Sequence, residues 1–381
     1  MHRKNAKLDR RRNRVCAAAA LVAGGLLFTL ASLNQPALSV PPNASILTAA
    51  ATAFQGSSRE AAANTIGPER TDNNCASCHA LEHEAWMKTR HFATFKDRHR
   101  SPEAREILKN LDQKKGMKGS DMCLNCHYTS IVRGDDVSPE WGVSCESCHA
   151  PGQPWNNIHN KVGGDPAAAT LQWGTGKSES PEQRAKRLGA AQSHGMIHSQ
   201  MIYEIARNCF SCHTVPDETL VNKGKHKAGS DFDLVAWSQG EIRHNFVSSE
   251  GAPDSPTNRP ATAAERRRLY VVGAMVDLEI SLRNLSRVTE SGGEFHLAMI
   301  ERVNRARAKV SAIVNASPFA SIKAAVALVP ELVDASTPIS PDLVDKIGEA
   351  AKSFANGSDG SELGAIDGLI PTAVKGKVYE R

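Results

Sequence analysis

Eight of the nine cysteines in this chain fall into four copies of one pentapeptide: Cys75-Ala-Ser-Cys78-His79, Cys123-Leu-Asn-Cys126-His127, Cys145-Glu-Ser-Cys148-His149 and Cys209-Phe-Ser-Cys212-His213. Cys-x-x-Cys-His is the attachment signature of a c-type haem. Two thiols add across the haem vinyl groups, and the adjoining imidazole meets the iron as proximal ligand. The two intervening residues let both sulfurs reach one porphyrin edge. A structural zinc site would pair Cys-x-x-Cys units or add a spaced His-x-x-x-His, and a disulfide framework would have no use for the invariable histidine. The expected cofactors are therefore four covalently bound c-type haems with their iron. Cys75, Cys78, Cys123, Cys126, Cys145, Cys148, Cys209 and Cys212 bind the porphyrins, and His79, His127, His149 and His213 bind the metals. The chemistry such a chain performs is electron movement.

Elements around the motifs must position them. The expected fold class is mainly α, a multihaem cytochrome c with short helices and long loops, followed by a C-terminal helical bundle. Ser101 caps a predicted helix over Pro102 to Leu111, and a second over Gln200 to Asn208 leads into the fourth motif. Past the break at residues 248–256, Thr262 is the expected N-cap of a helix running to about Arg287, with Leu269, Val272, Val276 and Ile280 at helical spacing. Gly292-Gly293 turns the chain. Leu297, Ile300, Val303, Val310 and Ile313 then mark a second amphipathic helix, and Ser340-Pro341 opens a later one. Four regions follow: a leader at 1–39, a Pro-, Ala- and Ser-rich linker at 40–65, the tetrahaem domain at 66–250 and a haem-free helical domain at 251–381. The last is expected to be a structural cap, a dimerisation surface or a docking surface.

Charge is uneven. Seven of the 46 basic residues and one of the 41 acidic ones lie in residues 1–14, so the rest carries 39 basic against 40 acidic. The net charge of +5 belongs to the leader and gives a nucleic-acid role no support. Residues 15–39 carry no charge, 15–33 are rich in Ala, Leu and Gly, and Ala37-Leu38-Ser39 offers small residues at a cleavage spacing. The leader reads as a secretory signal, with a retained inner-membrane anchor over residues 15–33 as the alternative. Cys16 follows Asn13-Arg14-Val15 and does not suit lipid attachment. Export to the periplasm and covalent haem attachment support each other. Aromatic residues are only 5% of the chain, and porphyrins would supply the flat apolar bulk that aromatic side chains otherwise provide.

The sixth position on each iron decides function, because a second imidazole gives an electron carrier and an open position admits a small molecule. Fourteen histidines are present. Beyond the four in the motifs and His2 in the leader, His296 lies in the haem-free helices and reads as a surface residue. His83, His91, His99, His159, His194, His198, His226 and His244 remain, a supply that argues for bis-histidine coordination at most irons.

The first motif is followed by Trp86 and then Thr89-Arg90-His91-Phe92-Ala93. The third lies in Gly142-Val143-Ser144-Cys145-Glu146-Ser147-Cys148-His149-Ala150-Pro151-Gly152, with His159-Asn160-Lys161 beyond. Over about residues 70–250 the chain resembles the tetrahaem cytochrome c-554 family, which includes an acceptor of electrons from hydroxylamine oxidoreductase in ammonia-oxidising bacteria. The resemblance implies crossed distal ligands: His91 to haem 4, His159 to haem 1 and His244 to haem 3. It also implies a five-coordinate haem 2. This chain departs from that pattern in its additional histidines, and His226, in what reads as a tight exposed loop, is expected to fill the sixth position of haem 2. His83, His99, His194 and His198 are expected to be polar or propionate-contacting residues, and Lys88, Arg90, Arg207 and Arg243 to balance propionate charge. The short chain between His127 and Cys145 is expected to hold haems 2 and 3 together.

The function expected from these residues is periplasmic electron transfer between redox partner proteins. One alternative is an enzyme that converts a small nitrogen or sulfur compound such as nitric oxide at haem 2. Another is a docking subunit of a larger redox complex, or a homo-oligomer formed through the C-terminal helices. The catalytic reading is weakened by the absence of Cys-x-x-Cys-Lys, found in the related pentahaem nitrite reductases. The tyrosines (Tyr128, Tyr203, Tyr270 and Tyr379) are few for the cross-link that the octahaem oxidoreductases use.

Overall fold

Serine, threonine and proline set where the helices of this chain begin. In the computed structural model, which describes residues 59–69, 74–171, 179–242 and 259–380, Ser101 Oγ accepts the Ala104 N–H at 3.1 Å with Pro102 in the first turn. Thr89 Oγ1 accepts the Phe92 N–H at 3.2 Å. Ser180 with Gln183, and Thr262 with Glu265, form reciprocal capping boxes. Ser340 Oγ accepts from Leu343 ahead of the last long helix. These caps satisfy donors that a helix start leaves unpaired.

The fold is mainly α. The motif-bearing region holds α1 (Arg59–Ala63), α2 (Cys75–Cys78), α3 (Ala80–Met87), α4 (Arg90–Asp97), α5 (Pro102–Asn110) and α6 (Asp121–His127). After a hairpin come α7 (Cys145–His149), α8 (Asn156–His159), α9 (Pro181–Ser193), α10 (Ile202–His213), α11 (Glu218–Asn222) and α12 (Leu234–Ser238). The hairpin pairs β1 (Thr129–Arg133) with β2 (Asp136–Trp141), antiparallel, across Gly134-Asp135. Gly134 takes φ of 61° there, which a glycine adopts without a Cβ clash. The remaining helices are α13 (Ala263–Leu285), α14 (Glu294–Ala316), α15 (Ala320–Val326) and α16 (Pro341–Gly357).

The main apolar cluster gathers around α13, whose residues Leu269 to Val276 are all buried. It takes Phe295, Met299, Val303, Val310 and Ile313 from α14, and Val344, Ile347, Ala351 and Phe354 from α16. It also takes Ile202, Tyr203, Ala206 and Phe210 from α10 and Leu234 and Val235 from α12. The expected boundary at 250–251 falls in residues 243–258, outside the described residues; helices on both sides of that stretch share this one cluster. A hydrogen bond joins them as well: Tyr203 donates to the buried Glu279 carboxylate at 2.9 Å, and Arg207 and Arg283 neutralise the same group at 3.4 and 3.2 Å. Burying a carboxylate is costly unless it is paired and hydrogen-bonded in this way.

The motif-bearing region has a different interior. Apart from the residues of α10–α12 that join the main cluster, its buried apolar side chains gather in three small clusters, around Leu124 and Tyr128, around Ala150 and Ile205, and around Trp155 and Met196. That is little side-chain core for so long a segment, and it suits a region whose interior is completed by large apolar prosthetic groups.

Two expectations about α14 are corrected. Leu297 is 55% exposed, and His296, read as a surface residue, is only 6% exposed. The apolar face runs through Phe295, Met299, Val303, Val310 and Ile313, so the last three lie where the sequence reading put them and Leu297 alone falls outside. The His296 Nδ1 accepts the N–H of Gly292 at 2.9 Å in the preceding turn. Among the described residues no helix is long and apolar enough to cross a membrane. The leader (1–39) and Cys16 lie outside the described residues, as does the linker up to residue 58.

Candidate haem-binding sites

Each motif forms one helical turn. The second, third and fourth motifs close α6, α7 and α10, so that the histidine is the last helical residue. In the first, Cys75 to Cys78 are helical and the His79 N–H donates to the Cys75 carbonyl at 2.9 Å. Positions i, i+3 and i+4 of a helix share a face. The spacing therefore presents both thiols and the imidazole of each motif on one side, the arrangement one porphyrin requires.

The motif histidines are matched with histidines from elsewhere in the chain. The rings of His79 and His159 are 5.8 Å apart, centroid to centroid. Those of His91 and His213 are 6.2 Å apart, and those of His127 and His226 6.5 Å. Two imidazoles facing each other across one metal, with bonds of about 2 Å to each nitrogen, would have their ring centres about 6 Å apart. All three separations fit a shared iron. His244, the expected partner of His149, lies outside the described residues.

Hydrogen bonds select the tautomer of several rings. The His149 Nδ1–H donates to the Ile197 carbonyl at 2.6 Å, and the His226 Nδ1–H to the Lys227 carbonyl at 2.8 Å. A carbonyl can only accept, so these rings keep their proton on Nδ1 and present an Nε2 lone pair. His213 Nδ1 sits 3.0 Å from Ser230 Oγ. Such contacts orient a ligating imidazole and raise its basicity. Burial also pulls the imidazoles down, His127 to about 4 and His159 and His213 to about 3. They are neutral at physiological pH, and no proton competes for the lone pair. Burial raises Cys148 to about 11 and raises Cys209 as well. These places disfavour a thiolate and tolerate an uncharged thioether.

The motif thiols neighbour one another in an order that chain separation does not predict. Cys75 and Cys145 lie within hydrogen-bonding reach, as do Cys126 and Cys212. Asn208 on α10 donates to the Cys148 carbonyl at 2.8 Å, joining the third and fourth motifs. The succession is first, third, fourth, second. Between the second and third motifs the contact runs through Thr129, whose Oγ1 accepts the Ser144 N–H at 3.0 Å.

The remaining histidines are placed differently. His194 is exposed with Nδ1 on the Ala190 carbonyl at 2.9 Å. His198 Nδ1 accepts the Gln200 N–H at 3.3 Å, and His83 packs 5.5 Å from Trp86. His99 has a buried Nδ1. Of the residues expected near propionates, Arg207 is turned to Glu279 and Arg90 lies over the Tyr379 ring at 5.0 Å. Arg243 is outside the described residues. His226 is half-buried rather than exposed, its N–H donated to the Leu220 carbonyl.

Several supporting residues escaped the sequence reading. Trp155 stacks on His159 at 5.5 Å; its place four residues ahead of that histidine was the available signal. Arg187 donates to the His159 carbonyl at 3.1 Å and pairs with Glu179. Gly142 packs against α4 where a Cβ would strike the His91 carbonyl. Phe232 stacks on His213 at 4.4 Å. For Arg187 and Phe232 the sequence carries no signal.

Comparison with known proteins gives a match over part of the chain. Residues 74–150 match the family model described as cytochrome c554 and c-prime. The match takes in the first three motifs and ends before the fourth, short of the span to residue 250 over which the resemblance was read. A cytochrome c-554 from Nitrosomonas europaea is 30% identical over 97 residues, which is 23% of this chain and 41% of that protein. The matched part thus spans about two fifths of the relative's length. No solved structure matches.

Proposed function

We propose that this chain, a c-type cytochrome of the c554 and c-prime family over residues 74–150, carries four covalent haems and passes electrons between redox partner proteins outside the cytoplasm. The observation that carries the reading is the pairing of three motif histidines, His79, His213 and His127, with His159, His91 and His226 at ring separations of 5.8, 6.2 and 6.5 Å. A haem iron held between two imidazoles supplies a one-electron couple with no open position for a small molecule.

The protein's part is to hold and orient. The helical turn of each motif fixes two thioether positions and one imidazole. The distal histidines come from other elements, so folding brings both ligands to one place. Hydrogen-bonded rings at His149 and His226 present Nε2 without rearrangement. The succession of motif thiols supports a continuous series of redox sites running first, third, fourth, second. Separate first-to-third and fourth-to-second pairs are joined where α7 meets α10. The fourth haem, on Cys209 and Cys212, lies beyond the family match and rests on the motif and on the His91–His213 pair. The leader at residues 1–39 supports export to the periplasm, by cleaved signal or retained anchor.

Pyridine haemochrome absorbance together with intact mass tests the stoichiometry. Four haems per chain are expected, and a smaller number sinks the tetrahaem reading. Paramagnetic resonance of the oxidised protein with carbon monoxide difference spectra of the reduced form separates carrier from enzyme. A pure carrier has low-spin irons and binds no carbon monoxide. A high-spin signal near one iron per chain would favour conversion of a small molecule at the second motif.

A further inference from the structure

The His213 ring is supported by a loop that is itself held by the haem-free helices. Residues 230–233 are the end of the segment that joins α11 to α12. Ser230 Oγ lies 3.0 Å from His213 Nδ1, and the Ser230 N–H donates to the His213 carbonyl at 2.9 Å. Two residues later Phe232 stacks on the same imidazole with an interplanar angle of 21°. Two cations of α14 grip this loop. Arg302 Nη1 donates to the Ser230 carbonyl at 2.9 Å, and Lys309 Nζ pairs with Asp233 at 2.6 Å. They are seven residues apart, which places them two turns along one helix face. Arg302 is almost wholly buried and is held by Asp277 of α13 at 2.7 Å. Gly229, at φ of 84°, lets the loop pass under the guanidinium; a Cβ there would meet Arg302 at 3.0 Å.

We propose that α14 is a positioning element for the fourth motif: Arg302, braced by Asp277, and Lys309 fix residues 230–233, and through Ser230 and Phe232 they set the orientation and donor strength of the His213 imidazole. The C-terminal helices thereby poise one redox site of the series. This rests on the reading that His213 ligates a haem iron. An imidazole that gives its Nδ1–H to an oxygen becomes a stronger donor through its other nitrogen and favours the ferric state. Weakening that hydrogen bond raises the reduction potential of this site alone. The Ser230 hydroxyl can accept from the ring while donating to the His213 carbonyl, 3.4 Å away, so its orientation is consistent with that role. A buried Arg–Asp pair costs desolvation that a purely structural contact between apolar faces would avoid, and here it delivers a charge-assisted hydrogen bond to the residue that touches the ring.

Spectroelectrochemical titration of the full-length, haem-loaded protein tests this. The variants are Ser230→Ala, Arg302→Gln and the paired Asp277→Asn/Arg302→Gln, the last leaving no unpaired buried charge should the single change fail to fold. One of the four components is expected to move to higher potential, by up to tenfold in the ferric-to-ferrous ratio, about 59 mV for one electron. The other three stay in place. The proposal is overturned if all components keep their potentials in Ser230→Ala and in the paired variant, or if all four move together. Peptide mass mapping of the wild type reads the premise separately: a peptide spanning Cys209 to His213 without haem would mean that the haem assignment, rather than the role of α14, has failed.

Discussion

The imidazole of His91 stands 6.2 Å from that of His213, although 121 residues separate them in a sequence where His91 follows the first motif and His213 closes the fourth. The two rings come from different helices, α4 and α10, with an interplanar angle of 54°. Replacing His91 by alanine is therefore expected to leave haem attachment intact and to convert one iron from low to high spin. The paramagnetic resonance spectrum of the oxidised variant would show a new high-spin component worth one iron per chain. An unchanged spectrum would remove His91 from the coordination scheme.

The same logic applied to His226 decides whether the second motif is a closed site. His226 faces His127 at 6.5 Å and its Nδ1 is already engaged. His226→Ala should bind carbon monoxide in the reduced state where the wild type does not, and the difference spectrum should titrate to one equivalent. Equal binding by wild type and variant would leave the second motif open in the native protein.

Acid sensitivity is built into the start of α13. The Glu265 carboxylate is held down at about 2, first by hydrogen bonds from Arg259 and then by the N–H and hydroxyl of Thr262. A carboxylate with a depressed folded value contributes stability above its unfolded value near 4.5 and loses that contribution as pH falls toward 2. The difference in thermal midpoint between wild type and Glu265→Gln should be full at pH 6 and shrink between pH 4.5 and 2. A difference that stays constant over that window would rule the linkage out. Thr262→Ala, which removes the cap itself, should cost about 0.5–2 kcal/mol.

Leu278 is fully buried at the centre of α13. Leu278→Ala should destabilise the protein by about 2–5 kcal/mol, from lost burial plus the cavity left behind. The denaturant midpoint of the far-ultraviolet circular dichroism reads this. Haem content per folded chain should not change, since α13 supplies no ligand; a proportional loss of haem would tie the helix directly to cofactor binding.

Much of the local structure was legible. The starts of α5, α13 and α16 follow from Ser101, Thr262 and Ser340, because capping depends on residues three positions apart. The hairpin at Gly134-Asp135 was missed, although β-branched residues flank the turn. In α14 Val303, Val310 and Ile313 were read correctly and only the first turn was not, since Leu297 and Phe295 are equally apolar and only the neighbours decide which points inward. His296 was misread for the same reason: its role depends on where the Gly292-Gly293 turn folds.

The sequence by itself determined the chemistry of each motif. Two thiols and an imidazole within five residues form one helical turn, and nothing distant is needed to bring them together. It could not determine which distant histidine meets which motif, because a juxtaposition such as that of the His127 and His226 rings exists only once long-range packing has closed the chain. Resemblance to a family supplied an expectation for three of the pairs, and the spacing of residues supplied none. Tertiary structure alone placed Arg302 beside Ser230 and Phe232 over His213, since such contacts depend on how α14 lies across the α11–α12 loop, and helical periodicity carries no record of that.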